Sequence, residues 1–143
     1  MTAFRPQSLV PVLAVAAVHC APAGPAGALR MTIVGAERDA SRIVRLTVDL
    51  TNTGDASLYL PGCGGAVSMW LQVRSGGAWQ EFGGGLCPDN LDQTDVPMAP
   101  SQAIRGTAAV GGGDAGEYRA LTSVSDHPGG QGEVVASSSV RVR

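Results

Sequence analysis

Hydrophobic and polar residues alternate with a period of two along most of the chain after Arg30. The clearest case is the segment 43–53, in which one side is polar and the other carries Val44, Leu46, Val48 and Leu50. A β-branched, half-polar run of this kind is typical of a strand that has one face on a core. The residues 52–55 (NTGD) then predict a turn, because Asn, Gly and Asp tolerate positive φ.

The same alternation predicts eight short strands and no helix. The turn signals between them are rich in glycine, and the residues 75–77 (SGG) predict a tight hairpin. Seven or eight short strands with regularly spaced turns are typical of an all-β fold, the antiparallel immunoglobulin-like sandwich. The predicted strands are 31–34, 43–53, 57–60, 67–74, 78–82, 103–110, 117–125 and 134–142.

The front of the chain has the pattern of a secretory signal peptide. Residues 9–18 (LVPVLAVAAV) form an apolar run after Arg5, and a stretch of small residues, APAGPAGA, follows. We interpret residues 1–28 as this leader, with cleavage after Ala23 or Ala28, and residues 29–143 as one sandwich domain. The apolar run is too short for a bilayer core of about 30 Å. The sequence therefore predicts a secreted or periplasmic protein without a membrane span after leader removal.

A second interpretation of the same segment makes Cys20 the lipidated first residue of a bacterial lipoprotein. That processing favours a small residue directly before the cysteine, and this chain has His19 there. Cleavage at one of the two alanines is therefore the first expectation, and lipidation at Cys20 is the alternative.

Composition and charge restrict the class of protein. Hydrophobic residues make up 44% of the chain, enough for one core, and 20 glycines and 9 prolines indicate many turns. All ten basic residues are arginines, and they are scattered along the chain. Nucleic-acid binding needs basic residues clustered on one surface to contact the phosphates. The sequence has no such cluster, so we expect no nucleic-acid partner.

Leader removal leaves two cysteines, Cys63 and Cys87. An even number of thiols in an oxidising compartment predicts a disulfide. The bond would pin the long loop 83–100 to the end of the strand 57–60. There is no C-x-x-C spacing for redox chemistry. The ligands are too few for a metal site, so we expect neither a metal nor another cofactor.

No catalytic residue is predicted. His127 is the one histidine after the leader, and its neighbours Ser125 and Asp126 point to different sides of an extended chain. The segment 111–116 matches G-x-G-x-x-G, but a strand follows it instead of the helix that would hold a phosphate. The acidic loop residues Asp89, Asp92 and Asp95 lack the spacing of a calcium loop. We therefore expect a protein that is not an enzyme.

Trp70 and Trp79 are the candidate binding residues. Trp70 is out of phase with the apolar positions 67, 69, 71 and 73, which would place it on the outer face of its strand. Trp79 lies across the predicted hairpin and could join it in a surface patch, since tryptophan dominates binding hot spots. The alternative is that Trp70 is the core tryptophan of the sandwich and the alternation is imperfect.

Four segments carry a family resemblance: LTVDLTNTGDASLYL, LQVRSGGAWQEF, MAPSQAIRGTAAV and AGEYRALTSV. Together they resemble small bacterial immunoglobulin-like domains, one branch of which is the intracellular proteinase inhibitor domain of Bacillus. The resemblance implies that Tyr118 packs its ring on the core and returns its hydroxyl to a backbone group. Two features depart from the family: Ser101-Gln102 replace the usual Gly-Glu, and the pair Cys63/Cys87 has no place in an intracellular inhibitor.

These observations predict a monomeric, non-enzymatic secreted domain that binds a protein or a glycan at the cell envelope, or contributes structure there. The alternative function is that of a protease inhibitor. In that case the disulfide-pinned loop 83–100 would enter a protease cleft as a rigid strand.

Overall fold

The structure is a computed structural model, and it describes residues 24–143. Strands form almost all of its regular structure, together with one short helical turn. In chain order the elements are α1 (Pro25–Ala28), β1 (Leu29–Arg38), β2 (Val44–Asn52), β3 (Leu58–Leu60), β4 (Gly62–Cys63), β5 (Ala66–Val67), β6 (Trp70–Ser75), β7 (Ala78–Gly84), β8 (Val96–Met98), β9 (Ala103–Val110), β10 (Gly116–Val124), β11 (Glu133–Ala136) and β12 (Val140–Val142).

Two antiparallel sheets enclose one core. The smaller sheet has the order β1-β2-β9, and the larger has the order β11-β10-β6-β7, with β12 also paired to β10. Strand β2 alternates strictly between buried and half-buried residues, as its period of two requires. Leu46 and Leu50 of the smaller sheet and Leu71 and Ala120 of the larger are fully buried. The prediction of an antiparallel immunoglobulin-like sandwich is confirmed.

Strand β3 lies beside the end of β10, next to the start of β6, and so extends the larger sheet. It pairs with β8, and its central residue Tyr59 exchanges two backbone hydrogen bonds with Ser125, at 3.0 and 2.9 Å. The link from β3 to β6 is also direct, because the Ser68 N–H donates to the Pro61 carbonyl at 2.7 Å. Strands β3 and β6 thus follow one another beside β10.

Several element boundaries differ from the predictions. The first strand is longer than 31–34, because β1 pairs with β2 along its whole length, with one bulge between Ile33 and Gly35. The predicted strand 134–142 is two strands, since Ser137 interrupts it: its N–H donates to the Ala120 carbonyl and its hydroxyl accepts the Ala120 N–H. The loop 83–100 contains β8, and α1 falls within the predicted leader.

Tyr118 takes the role that the resemblance implies. Its side chain is 1% exposed, and its ring meets Phe82 edge-on with centroids 5.5 Å apart. The hydroxyl donates to the Asp114 carbonyl at 2.7 Å. Burial, followed by the nearby Asp114 carboxylate, raises the pKa of the Tyr118 phenol. This tyrosine corner fixes the turn that leads into β10.

The turn after β2 is organised by the Asn52 side chain, and positive φ has no part in it. Asn52 is fully buried, and φ is not positive at any residue from 52 to 55. Its amide nitrogen donates to the carbonyls of Ala56 (2.8 Å) and Met98 (3.1 Å), and its amide oxygen accepts the Gly54 N–H (3.0 Å). The prediction of a turn was right, but its physical reason is a buried amide that also reaches β8.

Ser101 is one of two non-glycine residues with positive φ in the described part of the chain, at φ 64°. It stands where the resembled family has glycine. A left-handed conformation costs a side-chain-bearing residue about 1–2 kcal/mol, and part of this is offset by the greater unfolded-state freedom of glycine.

We therefore expect Ser101→Gly to raise the free energy of unfolding by about 0.5–1 kcal/mol. Chemical denaturation of the purified protein measures the change. The matched control is Ser138→Gly, another exposed serine whose φ is not positive, which should be neutral or destabilising. Equal effects of the two substitutions would show that the backbone of Ser101 is not strained.

Candidate binding face

Trp70 lies on the outer face of the larger sheet. Its neighbours Met69 and Leu71 point into the core and are buried, whereas Trp70 is half-buried. It stands directly opposite Leu121 of β10 on one side and Gly84 of β7 on the other. The sequence allowed Trp70 either a surface position or a core position, and the structure has it at the surface. Its side chain covers part of the outer face of the larger sheet.

Trp79 lies on the same outer face and is held by two arginines. The guanidinium of Arg119 is 4.4 Å from the centroid of the Trp79 ring, and that of Arg74 is 5.9 Å away. Arg119 is itself fixed, because its Nε and Nη2 both donate to the Gln72 Oε1, at 2.9 and 2.7 Å. Cation–π contacts of this kind contribute about 0.5–1 kcal/mol at exposed sites. The indole therefore has a defined position before any ligand arrives.

Charges of both signs lie on this face. Arg74, Arg119 and Arg141 supply the positive charges, and Glu81 and Glu117 supply the negative ones. Arg141 is directly opposite Glu117, and Arg74 lies 3.6 Å from the Glu117 carboxylate. The Ser139 hydroxyl donates to Glu117, and this bond, followed by nearby arginines, lowers the pKa of that carboxyl. By formal charge, the three arginines exceed the two glutamates by one at this end of the face. We call the surface formed by Trp70, Gln72, Arg74, Trp79 and Arg119 the tryptophan face.

The second candidate region, the loop 83–100, is pinned as predicted. Cys63 and Cys87 form a disulfide with their Cα atoms 5.4 Å apart. The Gly64 N–H donates to the Asp92 carbonyl at 2.8 Å, which fastens the loop a second time. A side chain on Gly62 would collide with the Thr94 carbonyl, so the loop lies directly on β4.

The first residues of this loop belong to strand β7. Gly83 and Gly84 pair with Leu71 and Trp70 of β6, and the chain leaves the sheet at Gly85, whose φ is 72°. The Ser68 hydroxyl donates to the Gly85 carbonyl at 3.0 Å. The next residue, Leu86, is 94% exposed. The loop therefore presents one leucine beside the disulfide, and its first two residues are already paired with β6.

The acidic residues of the loop have separate roles. The Asp92 carboxylate accepts the Thr94 hydroxyl and N–H, which lowers its pKa. Asp95 accepts the Gly129 N–H at 2.7 Å, and Asp89 is exposed. Within residues 24–143, no group of three or more His, Cys, Asp or Glu side chains is placed to hold a metal ion.

The remaining sequence candidates lie in turns. The Ser125 hydroxyl donates to the backbone carbonyl of His127 and not to its ring, while the ring Nδ1 lies 2.6 Å from the Asp126 carboxylate. The side chains do not form the chain of contacts that a catalytic triad needs. The glycine-rich segment 111–116 leads into β10, and no helix follows it, as the sequence predicted.

Residues 1–23, which include Cys20 and most of the predicted leader, lie outside the described residues. Within the described range, no helix has the length and apolar character needed to cross a membrane.

Comparisons with known proteins find similarity at the level of fold. No protein-family model matches the chain, and no curated protein matches it. A solved structural-genomics target, SoR45, is 12% identical with a TM-score of 0.48, covering 82% of this chain and 87% of that one. A CARDB domain from Pyrococcus furiosus, solved with di-metal ions, is 15% identical with a TM-score of 0.37, covering 80% and 91%.

The PapD-like domain 7 of human CEP192 is 11% identical with a TM-score of 0.40, covering 96% of both chains. Identities and TM-scores this low concern the fold class, and no argument about function rests on them. The assignment of the sandwich rests on the strand order and register of the chain itself.

Proposed function

We propose that this protein is a non-enzymatic domain of the cell envelope that binds its ligand through the tryptophan face. The observation that carries the proposal is the placement of Trp70 and Trp79 on one outer face, with Trp79 fixed by Arg119. Tryptophan and arginine are the residue types most enriched in binding hot spots. A side chain that is already ordered loses less conformational freedom on binding. The face is thus suited to recognition.

The test is to measure binding of the purified domain to a cell-envelope preparation of its source organism. We expect Trp79→Ala and Trp70→Leu each to weaken binding at least tenfold, as hot-spot truncations do. The free energy of unfolding of Trp79→Ala should fall by only about 1 kcal/mol, because mainly a surface cation–π contact is lost.

The matched control is Leu86→Ala, which removes an exposed apolar side chain from the other candidate region. Its binding should equal that of the unmodified protein. If Leu86→Ala abolished binding while the two tryptophan variants bound normally, the tryptophan face would not be the binding site.

Protease inhibition is a second candidate function, favoured by the exposure of Leu86 on a loop that the disulfide fixes. Because Gly83 and Gly84 are paired with β6, contact with a protease would involve Leu86 and the residues that follow. Titration against serine proteases and metalloproteases tests this candidate, and the absence of inhibition at micromolar concentration would eliminate it.

We also propose that the protein is exported and that its leader is cleaved after Ala23. The disulfide supports an oxidising compartment. The Ala28 carbonyl accepts the N–H and the hydroxyl of Thr53 at 2.8 and 2.9 Å, and Ala26 and Ala28 pack against the core. Cleavage after Ala23 would keep these contacts in the mature domain, whereas cleavage after Ala28 would remove them. The product that begins at Gly24 would therefore be the more stable one.

The intact mass of the exported protein, before and after reduction and alkylation, tests this proposal. We expect a chain that begins at Gly24 and has two cysteines alkylated only after reduction. A chain that begins at Leu29, or one with lipid on Cys20, would contradict the proposed cleavage site.

A further inference from the structure

A third aromatic side chain lies on the same outer face as the two tryptophans. Tyr59 of β3 pairs with Ser125, and Trp70 of β6 pairs with Leu121. Ser125 and Leu121 are four residues apart along one strand path, so their side chains are on the same face. Their partners Tyr59 and Trp70 therefore share that face, while Leu58 and Leu60, the neighbours of Tyr59, are buried.

The aromatic residues of the described chain are thus divided between two locations. Phe82 and Tyr118 form an edge-on pair on the inner side of the larger sheet. Tyr59, Trp70 and Trp79 all lie on its outer face, and each is half-buried. A single partly exposed aromatic residue needs no explanation, but three on one face of a sheet form a patch that does.

The three aromatic positions form a row along the strand direction. Tyr59 and Trp70 are separated by four residue steps, and so are Trp70 and Arg74, which is opposite Trp79. At about 3.3 Å per residue each interval is about 13 Å, and the row is about 26 Å long. Gln72 and Arg119 lie between the two tryptophans and offer hydrogen-bonding groups, as does Arg74 opposite Trp79. A ligand that contacts all three rings is an extended chain.

The tyrosine end of the row is a shallow groove of about 420 Å³. Pro97 and Pro128 line it together with Tyr59, and Asp95 lies at its edge. The Gly129 N–H orients the Asp95 carboxylate by donating to its Oδ2 at 2.7 Å. This end therefore combines an apolar platform with an oriented hydrogen-bond acceptor.

We propose that the outer face of the larger sheet binds an extended neutral carbohydrate chain across Tyr59, Trp70 and Trp79. This inference rests on the proposed function and names the class of its ligand. Sugar rings present C–H groups that pack on the negative face of an aromatic ring, and their hydroxyls suit an acceptor such as Asp95 and a donor such as the Gln72 amide N–H. The three arginines Arg74, Arg119 and Arg141 are matched by the three acidic residues Glu81, Glu117 and Asp95, so the whole row has no net formal charge. Charge complementarity therefore indicates an uncharged chain.

The first experiment uses insoluble cellulose and chitin together with soluble β-glucan, xylan and mannan as probes. We expect the full domain to bind at least one of them, and longer oligosaccharides of that type to bind more tightly than short ones. Tyr59→Leu, Trp70→Leu and Trp79→Leu should each weaken binding at least tenfold, while Leu86→Ala binds normally. The leucine substitutions retain apolar bulk, and circular dichroism with thermal unfolding verifies that each variant is folded.

A second arm separates this inference from the proposed function. Periodate, which cleaves sugar diols, should abolish binding of the domain to the envelope preparation, and protease treatment should leave it intact. The carbohydrate inference would be overturned if protease treatment abolished envelope binding, periodate left it intact, and the domain bound none of the neutral polysaccharides. The ligand of the tryptophan face would then be a protein. Preferential binding to anionic polysaccharides would also overturn it. Equal envelope binding by the tryptophan variants and the unmodified protein would refute the proposed function itself.

Discussion

Replacement of both Cys63 and Cys87 by serine is expected to lower the free energy of unfolding by about 3–4 kcal/mol. The disulfide joins residues 24 positions apart. In the chain-entropy treatment, closing a loop of that length removes freedom from the unfolded chain worth about 3.5 kcal/mol. For a domain of this size the loss corresponds to a fall in Tm of about 10–15 °C. Thermal and denaturant unfolding of the two proteins side by side measures it.

Reduction of the unmodified protein provides the control for this variant, because it breaks the same bond without changing a residue. The reduced protein and the double variant should unfold at closely similar temperatures. An unchanged stability in both would mean that the bond does not constrain the loop. The hydrogen bonds of Gly64 and Gly85 would then hold the loop by themselves.

Asn52→Ala is expected to lower the free energy of unfolding by about 3 kcal/mol. The substitution removes three hydrogen bonds of a fully buried amide and leaves two carbonyls and one N–H without that partner. Each buried polar group left unsatisfied costs about 1–3 kcal/mol, and water can satisfy the more exposed members of the set. Equilibrium denaturation in urea measures the change.

The chain contains a matched control for this prediction in Asn90, an exposed residue of the disulfide-pinned loop. Asn90→Ala should change stability by no more than about 0.5 kcal/mol. Asn52→Asp should also be destabilising, because it keeps the acceptor, loses both donors and buries a carboxylate. If Asn52→Ala proved as mild as Asn90→Ala, the account of the turn after β2 would be wrong.

The sequence predicted the sandwich because alternation of polar and apolar residues is a local property. In the strand β2 every second side chain is buried, so the sequence of that strand alone reveals its face and its period. The disulfide was predictable for a similar reason, since two thiols remain outside the predicted leader. Tyr118 was placed by resemblance, and its buried ring and hydroxyl contact confirm that role.

The details that shape the candidate site depend on contacts between distant residues. Arg119 reaches Trp79 only because β10 pairs with β6 in one particular register, and because a bulge at Leu71/Gln72 sets the pairing of β7. Neither the register nor the bulge has a signal in the local sequence. Tyr59 was assigned to a short return strand, and its alignment with Trp70 required the bridge to Ser125.

The most direct test of the proposed binding face uses the two indole groups as reporters, since the chain has only two tryptophans. In a ¹⁵N-labelled sample the indole N–H groups give two resolved NMR signals, which Trp70→Leu and Trp79→Leu assign. A solubilised envelope extract is then titrated into the labelled protein. We predict that both indole signals shift or broaden in proportion to bound ligand, while the amide of Leu86 is unaffected. Changes confined to residues 85–95, with both indole signals unmoved, would contradict the account and place the binding site on the loop.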